Sequence, residues 1–100
     1  MEVLATVLDP EGRSVDLTRE RWAHIVGDVP GGTGHPELRW YREDILRTVR
    51  EPTLRLPGRV STQEWFYLEG VGPSRYVKVV VEFTQERGHI VTAFARRSTP

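Results

Sequence analysis

Arg75-Tyr76-Val77-Lys78-Val79-Val80-Val81-Glu82-Phe83 has the composition of a long central β-strand, because it is rich in valine and contains neither glycine nor proline. Side chains alternate between the two faces of a strand, so one face of this segment is apolar and the other carries charge. Lys78, the only lysine in the chain, lies on the charged face. The apolar face holds Val77, Val79, Val81 and Phe83, and the other face holds Tyr76, Lys78, Val80 and Glu82.

The neighbouring segments extend this division between two faces. Residues 89–96 follow a polar turn and should pair as a hairpin, and residues 64–69 should pair on the other side. In this register Trp65 and Tyr67 lie on the same face as Lys78. The alternation of side chains places Arg55 on that face as well. Cations interleaved with aromatic rings are typical of surfaces that bind phosphodiesters and bases. From the last segment, Ile90, Thr92, Phe94 and Arg96 are predicted beside Lys78, and His89, Val91, Ala93 and Ala95 beside the valines.

Length and composition predict one globular domain over residues 1–100. The absence of cysteine excludes a disulfide framework, a thiolate metal site and a cysteine nucleophile. A formal net charge of zero argues against binding nucleic acid through bulk charge alone. There is no apolar run of about 18 residues and no signal-peptide pattern, so we expect a cytoplasmic protein without membrane contact.

The order of elements predicts an α+β fold, with two helices covering one face of a four-stranded antiparallel sheet. Thr18 is a good N-cap for a first helix that ends near Gly27, and Pro36 suits the first turn of a second helix that ends before Pro52. A glycine-rich loop over residues 28–34 separates them. Trp22 and Tyr41 should be largely buried against the valine face. An N-terminal strand or hairpin is predicted at residues 2–8 and 14–17, and the sheet strands at 53–56, 64–69, 75–83 and 88–96.

An ordered set of short motifs resembles a known family. The set is Trp22-Ala23-His24-Ile25, His35-Pro36-Glu37-Leu38, Val49-Arg50-Glu51-Pro52, Trp65-Phe66-Tyr67 and Ile90-Val91-Thr92-Ala93-Phe94. It is similar to the phage-type members of the barnase–EndoU–colicin–RelE-like (BECR) nuclease superfamily. The resemblance implies a core over residues 18–97, with residues 1–17 as an extension. It also implies a metal-independent ribonuclease without cofactors, acting as a toxin or phage effector, with RNA as substrate and an antitoxin or immunity protein as a partner.

Candidate site residues follow from the chemistry of RNA cleavage by a 2′-hydroxyl, which needs proton transfer and stabilisation of phosphoryl charge. His24 and His35 suit proton transfer because imidazole titrates near neutral pH, and the resemblance places a recurrent histidine at His24. Lys78 and Arg96 suit charge stabilisation, and the resemblance adds the hydroxyl of Thr92. The predicted RNA-binding residues are Arg55, Trp65, Tyr67 and Tyr76.

Two other interpretations remain open at this point. The chain could be a non-catalytic module that binds RNA or protein with the same face, which zero net charge favours. It could also be an effector that a partner protein keeps silent. The histidines and carboxylates lack a metal-ligand spacing such as H-E-x-x-H, so no metal site is expected.

Overall fold

A computed structural model describes residues 2–28, 34–85 and 87–100. The glycine-rich loop predicted at residues 28–34 therefore lies mostly outside the described residues. The described chain contains six strands and two α-helices. In chain order they are β1 (Val3–Leu8), β2 (Ser14–Thr18), α1 (Arg19–Val26), α2 (Arg42–Arg50), β3 (Leu54–Pro57), β4 (Gln63–Glu69), β5 (Tyr76–Thr84) and β6 (Arg87–Arg96), with a 3₁₀ turn at Pro36–Leu38 before α2.

The α+β class is confirmed, but the prediction of a four-stranded antiparallel sheet is wrong. All six strands form one mixed sheet in the order β1-β2-β6-β5-β4-β3, and β2 pairs with β6 in parallel. The N-terminal hairpin joins this sheet because Val15 and Leu17 of β2 are fully buried in the same apolar cluster as the helices. The N-terminal hairpin, which the sequence predicts as an extension outside the core, therefore contributes to the core.

Helix α1 begins and ends where the sequence predicts. The Thr18 hydroxyl accepts a hydrogen bond from the backbone N–H of Arg21 at 3.2 Å, which satisfies one of the free donors of the first turn. Gly27 ends the helix in the left-handed conformation with φ of 78°. The second helix differs from the prediction. The residues after Pro36 form a 3₁₀ turn, and the α-helix starts only at Arg42.

The apolar face of β5 packs beneath the helices, as predicted. Val77, Val79, Val81 and Phe83 share one cluster with buried residues of α1 and α2. Trp22 and Tyr41 are partly buried and pack against this cluster, so they contact the core as predicted while part of each side chain stays exposed. The guanidinium carbon of Arg42 lies 4.6 Å from the centre of the Trp22 ring and occupies part of its outer side.

A β-bulge in β6 changes the predicted faces of two residues. Val80 pairs with Thr92, but the next residue of β5, Val81, pairs with Ile90, which leaves Val91 as an extra residue. Ile90 is therefore fully buried in the core instead of lying beside Lys78. His89 pairs with Glu82 and so lies on the same face as Lys78, not on the valine face. Beyond the bulge, Phe94 and Arg96 keep the predicted register with Lys78 and Tyr76.

An ion-pair network ties the turn of the N-terminal hairpin to the other end of the sheet. Arg13 Nη2 lies 2.6 Å from Glu64 Oε2, and Arg55 Nη2 lies 2.7 Å from Glu64 Oε1. Arg13 also pairs with Asp9, and Arg55 also pairs with Glu11. Burial raises the pKa of Glu64, but the hydrogen bonds from Arg55 and Arg13 outweigh it and hold this pKa below its usual value.

The position of Arg55 corrects one predicted site residue. Arg55 pairs with Phe66, which is a core residue, so its side chain lies on the helix-covered face. The alternation that was expected to bring Arg55 to Lys78 is offset by one residue in β3. Its guanidinium forms ion pairs with Glu11 and Glu64 and therefore belongs to the ion-pair network.

Alanine substitutions at three aromatic residues should show how much each side chain contributes to the free energy of unfolding. Phe66 is fully buried, so Phe66→Ala should lower the free energy of unfolding by about 3–5 kcal/mol. Trp22→Ala should have a smaller effect because part of the ring is exposed. Trp40 is 85% exposed, so Trp40→Ala is the control and should change stability by less than about 0.5 kcal/mol. Denaturant unfolding followed by circular dichroism gives all three values. A larger effect for Trp22→Ala than for Phe66→Ala would contradict the packing described.

Candidate nucleic-acid interface

Three adjacent strands place aromatic and cationic side chains next to one another on the sheet face away from the helices, here called the open face. Tyr67 on β4 pairs with Lys78 on β5, and Lys78 pairs with Phe94 on β6. Directly opposed residues in antiparallel strands share a face and lie side by side. The rows on either side of this one are Trp65, Val80 and Thr92, and Glu69, Tyr76 and Arg96.

The ammonium group of Lys78 lies among three aromatic rings. Its Nζ is 3.6 Å from the centre of the Trp65 ring, 5.2 Å from that of Phe94 and 5.5 Å from that of Tyr67. The residue is only 6% exposed. Among residues 2–28, 34–85 and 87–100, no carboxylate lies within ion-pair distance of this amine. The rings stabilise the cation through cation–π contacts, but no carboxylate among the described residues neutralises its charge.

Burial lowers the pKa of Lys78, and the positive charges of Arg96 and Arg59 lower it further. Desolvation disfavours the ammonium form, and like charges nearby have the same effect. A negative charge beside the amine would favour the ammonium form again. Lys78 is therefore suited to charge stabilisation.

Tyr67 is fully buried, and its hydroxyl has no hydrogen-bond partner in the described part of the chain. An unpartnered buried hydroxyl destabilises a fold by about 1–3 kcal/mol. Burial raises the pKa of Tyr67, and the charge of Arg96 opposes this only in part, so the hydroxyl stays protonated and able to donate. The ring of Tyr67 meets Tyr76 edge-on, with centres 6.4 Å apart. Because the hydroxyl is closed off from solvent, Tyr67 lies on the inner side of the cluster rather than at its surface.

The structure brings His35, rather than His24, to this cluster. The His35 ring lies 5.4 Å from the centre of the Phe94 ring, and Nδ1 is 3.5 Å from the carboxylate of Glu37. The backbone N–H of His35 donates to the carbonyl of Ile25, which fixes this segment against the end of α1. His24 is exposed on the last turn of α1, and α1 packs against the helix-covered face.

The remaining predicted residues divide between the interface and its margin. Trp65, Tyr76, Thr92 and Arg96 are all half-buried on the open face. Arg59, which sequence reasoning did not select, follows β3 and adds positive charge near Lys78. His89 was assigned to the wrong face, and only the bulge at Val91 reveals its true position.

The described residues contain no group of three or more His, Asp or Glu side chains that could hold a metal ion.

No protein-family model, no curated protein and no solved structure matches this chain. Membership of the BECR superfamily therefore stays a prediction from the sequence. In the parts of the chain that the structure describes, no helix has the length and apolar character that crossing a bilayer requires.

A substitution at Lys78 should separate a structural role from a functional one. Lys78→Met keeps a long side chain in contact with the rings and removes a charge that is unfavourable to bury. We expect the midpoint of denaturant unfolding at pH 7 to stay the same or to rise. If the cation–π contacts served mainly the fold, the same substitution would lower stability by about 1–2 kcal/mol, and that result would contradict a functional lysine.

Proposed function

We propose that this protein is a small ribonuclease that binds RNA on the open face and cleaves it through the attack of a 2′-hydroxyl on the adjacent phosphate. The observation that carries the proposal is the amine of Lys78, which is enclosed by aromatic rings, unneutralised by any described carboxylate and lowered in pKa. A phosphodiester supplies the negative charge that this site lacks. The flanking rings supply stacking surfaces, which single-stranded RNA uses more than duplex RNA does.

The geometry suggests a role for each group in the reaction. His35 at the rim of the cluster takes the proton of the attacking 2′-hydroxyl, and the Lys78 ammonium and the Arg96 guanidinium stabilise the charge on the phosphoryl oxygens. The new bond joins the 2′-oxygen to phosphorus, and the bond to the 5′-oxygen breaks, which leaves a 2′,3′-cyclic phosphate. The protonated His35 then gives this proton to the departing 5′-oxygen. Trp65 and Tyr76 stack on bases.

One observation favours a second candidate, a module that binds RNA without cleaving it. His24 lies on α1, so one of the two predicted proton-transfer histidines is placed on an element of the other face. His35 already has a carboxylate neighbour in Glu37. Binding would still use Lys78, Arg96 and the aromatic rings. The two candidates differ in whether product forms.

The biological setting follows from the proposed activity. A ribonuclease acting as a toxin or phage effector would meet its RNA in the cytoplasm. The cell that makes it would need an antitoxin or immunity protein, and the simplest inhibitor would cover the open face.

Labelled RNA incubated in chelator tests both candidates. The ribonuclease should cleave RNA and leave DNA intact, because DNA lacks the attacking 2′-hydroxyl. Lys78→Met removes charge stabilisation and His35→Ala removes proton transfer, so each should slow cleavage at least about tenfold, which is the cautious end of such effects. His24→Ala should stay within about twofold. Arg47→Ala on α2 is the matched control for loss of a surface charge and should have no effect.

The same incubation should be read for retained complex and repeated on translating ribosomes. Complex without product, weakened by Lys78→Met and unaffected by His35→Ala, would support the binding module. Neither cleavage nor binding in any format, by protein shown to be folded, would refute both candidates.

A further inference from the structure

A concave site lies on the open face at the only parallel strand pair that the described chain contains. β2 pairs with β6 from Ser14 opposite Arg87 to Asp16 opposite His89, and the chain then turns into α1. A cavity of about 260 Å³ lies between these strands and the start of α1. This volume is near the lower end for ligand pockets, about 300 Å³, and suits a small flat ligand. The Arg87 pocket, as it is called below, is lined by Asp16, Glu20, Arg21, Thr84, Arg87 and His89, among others.

Arg87 is held in a fixed orientation inside this pocket. Its Nη2 lies 2.8 Å from both carboxylate oxygens of Asp16, and its Nε lies 3.1 Å from Oδ2. The Thr6 hydroxyl also donates to Asp16, at 2.7 Å. Asp16 therefore has little capacity left for a ligand and acts by positioning the arginine. The Arg87 side chain is 60% exposed, so the planar guanidinium stays accessible.

The charge of the pocket distinguishes it from the Lys78 cluster. Arg21 and Arg87 are balanced by Asp16 and Glu20, whereas Lys78 has no described carboxylate partner. A neutral lining does not favour a phosphate. Arginine planes and imidazole rings instead stack on nucleobases, and hydroxyl groups such as that of Thr84 can bond to base edges.

We propose that the Arg87 pocket holds one nucleobase of the RNA strand whose phosphate lies at Lys78. This inference rests on the proposed function and adds a base-binding subsite to it. His89 opposes Glu82, which is four residues from Lys78 along β5, so the two sites are about 13 Å apart at about 3.3 Å per residue. Stacked nucleotides advance by about 3.4 Å each, so the base in the pocket belongs to a nucleotide up to about four positions from the bound phosphate.

Binding of 2′-O-methyl RNA, which cannot be cleaved because its 2′-oxygen is blocked, tests the subsite by length. A hexanucleotide spans both sites and a dinucleotide only one. Fluorescence anisotropy should show at least about tenfold tighter binding of the hexanucleotide, since each stacked base contributes roughly a factor of ten. Arg87→Ala should remove most of this gain and leave dinucleotide binding unchanged. Arg87→Lys should have the same effect, because it keeps the positive charge but removes the planar guanidinium that stacks on a base. Arg47→Ala, a paired arginine on α2, is the control.

Hexanucleotides with a single abasic position locate the base. One abasic position should weaken binding to the unmodified protein and cause no further loss in Arg87→Ala or His89→Ala. If both Arg87 variants weaken dinucleotide and hexanucleotide equally, or weaken neither, the subsite is refuted while RNA binding stands. If every abasic position weakens binding to the unmodified protein and to Arg87→Ala equally, or if none does, the pocket holds no base and the subsite is again refuted. Failure of either RNA to bind would refute the proposed function itself.

Discussion

The alternation of side chains along β5 is the constraint on which the rest of the structure depends. β5 lies inside the sheet and pairs with β4 and β6 along its length. Its valine face closes the core beneath α1 and α2, where each fully buried apolar side chain contributes roughly 1.5–3 kcal/mol. The register that buries these valines also places Lys78 on the opposite face of the sheet. The strand therefore fixes both the core and the position of the amine with one set of backbone hydrogen bonds.

The open face is not the arrangement that would make the domain most stable. Lys78 is desolvated without a described counter-ion, and the buried Tyr67 hydroxyl has no partner in the described chain. Domains of this kind have only about 5–15 kcal/mol of stability in total, so two such groups are a considerable burden. Functional sites commonly carry this kind of locally unfavourable chemistry, which a substrate then relieves. The ion-pair network on the opposite face has the reverse character, because Arg13 and Arg55 are each paired with carboxylates, namely those of Asp9, Glu11 and Glu64.

Local signals in the sequence predicted the local structure and part of the site. The caps of α1, the strands near Lys78 and the grouping of Trp65, Tyr67 and Lys78 follow from capping chemistry and from a period of two. Three features depend on distant pairing and could not be predicted this way. The parallel contact between β2 and β6 joins residues more than 70 positions apart, the bulge at Val91 inverts the face of His89, and a one-residue offset in β3 turns Arg55 towards the ion-pair network.

The most direct test of a functional, desolvated Lys78 is the titration of that side chain by NMR. It is the only lysine in the chain, so protein labelled with ¹³C-lysine gives a single side-chain ε-carbon signal without any need for assignment by mutation. We predict a pKa below the ordinary value of about 10.4 in the free folded protein, because burial and the nearby arginines disfavour the ammonium form. The value should rise when 2′-O-methyl RNA binds, since a phosphate at the amine favours the charged form, and it should return to the ordinary value in denaturant. An ordinary pKa in the folded protein that RNA leaves unchanged would contradict the account.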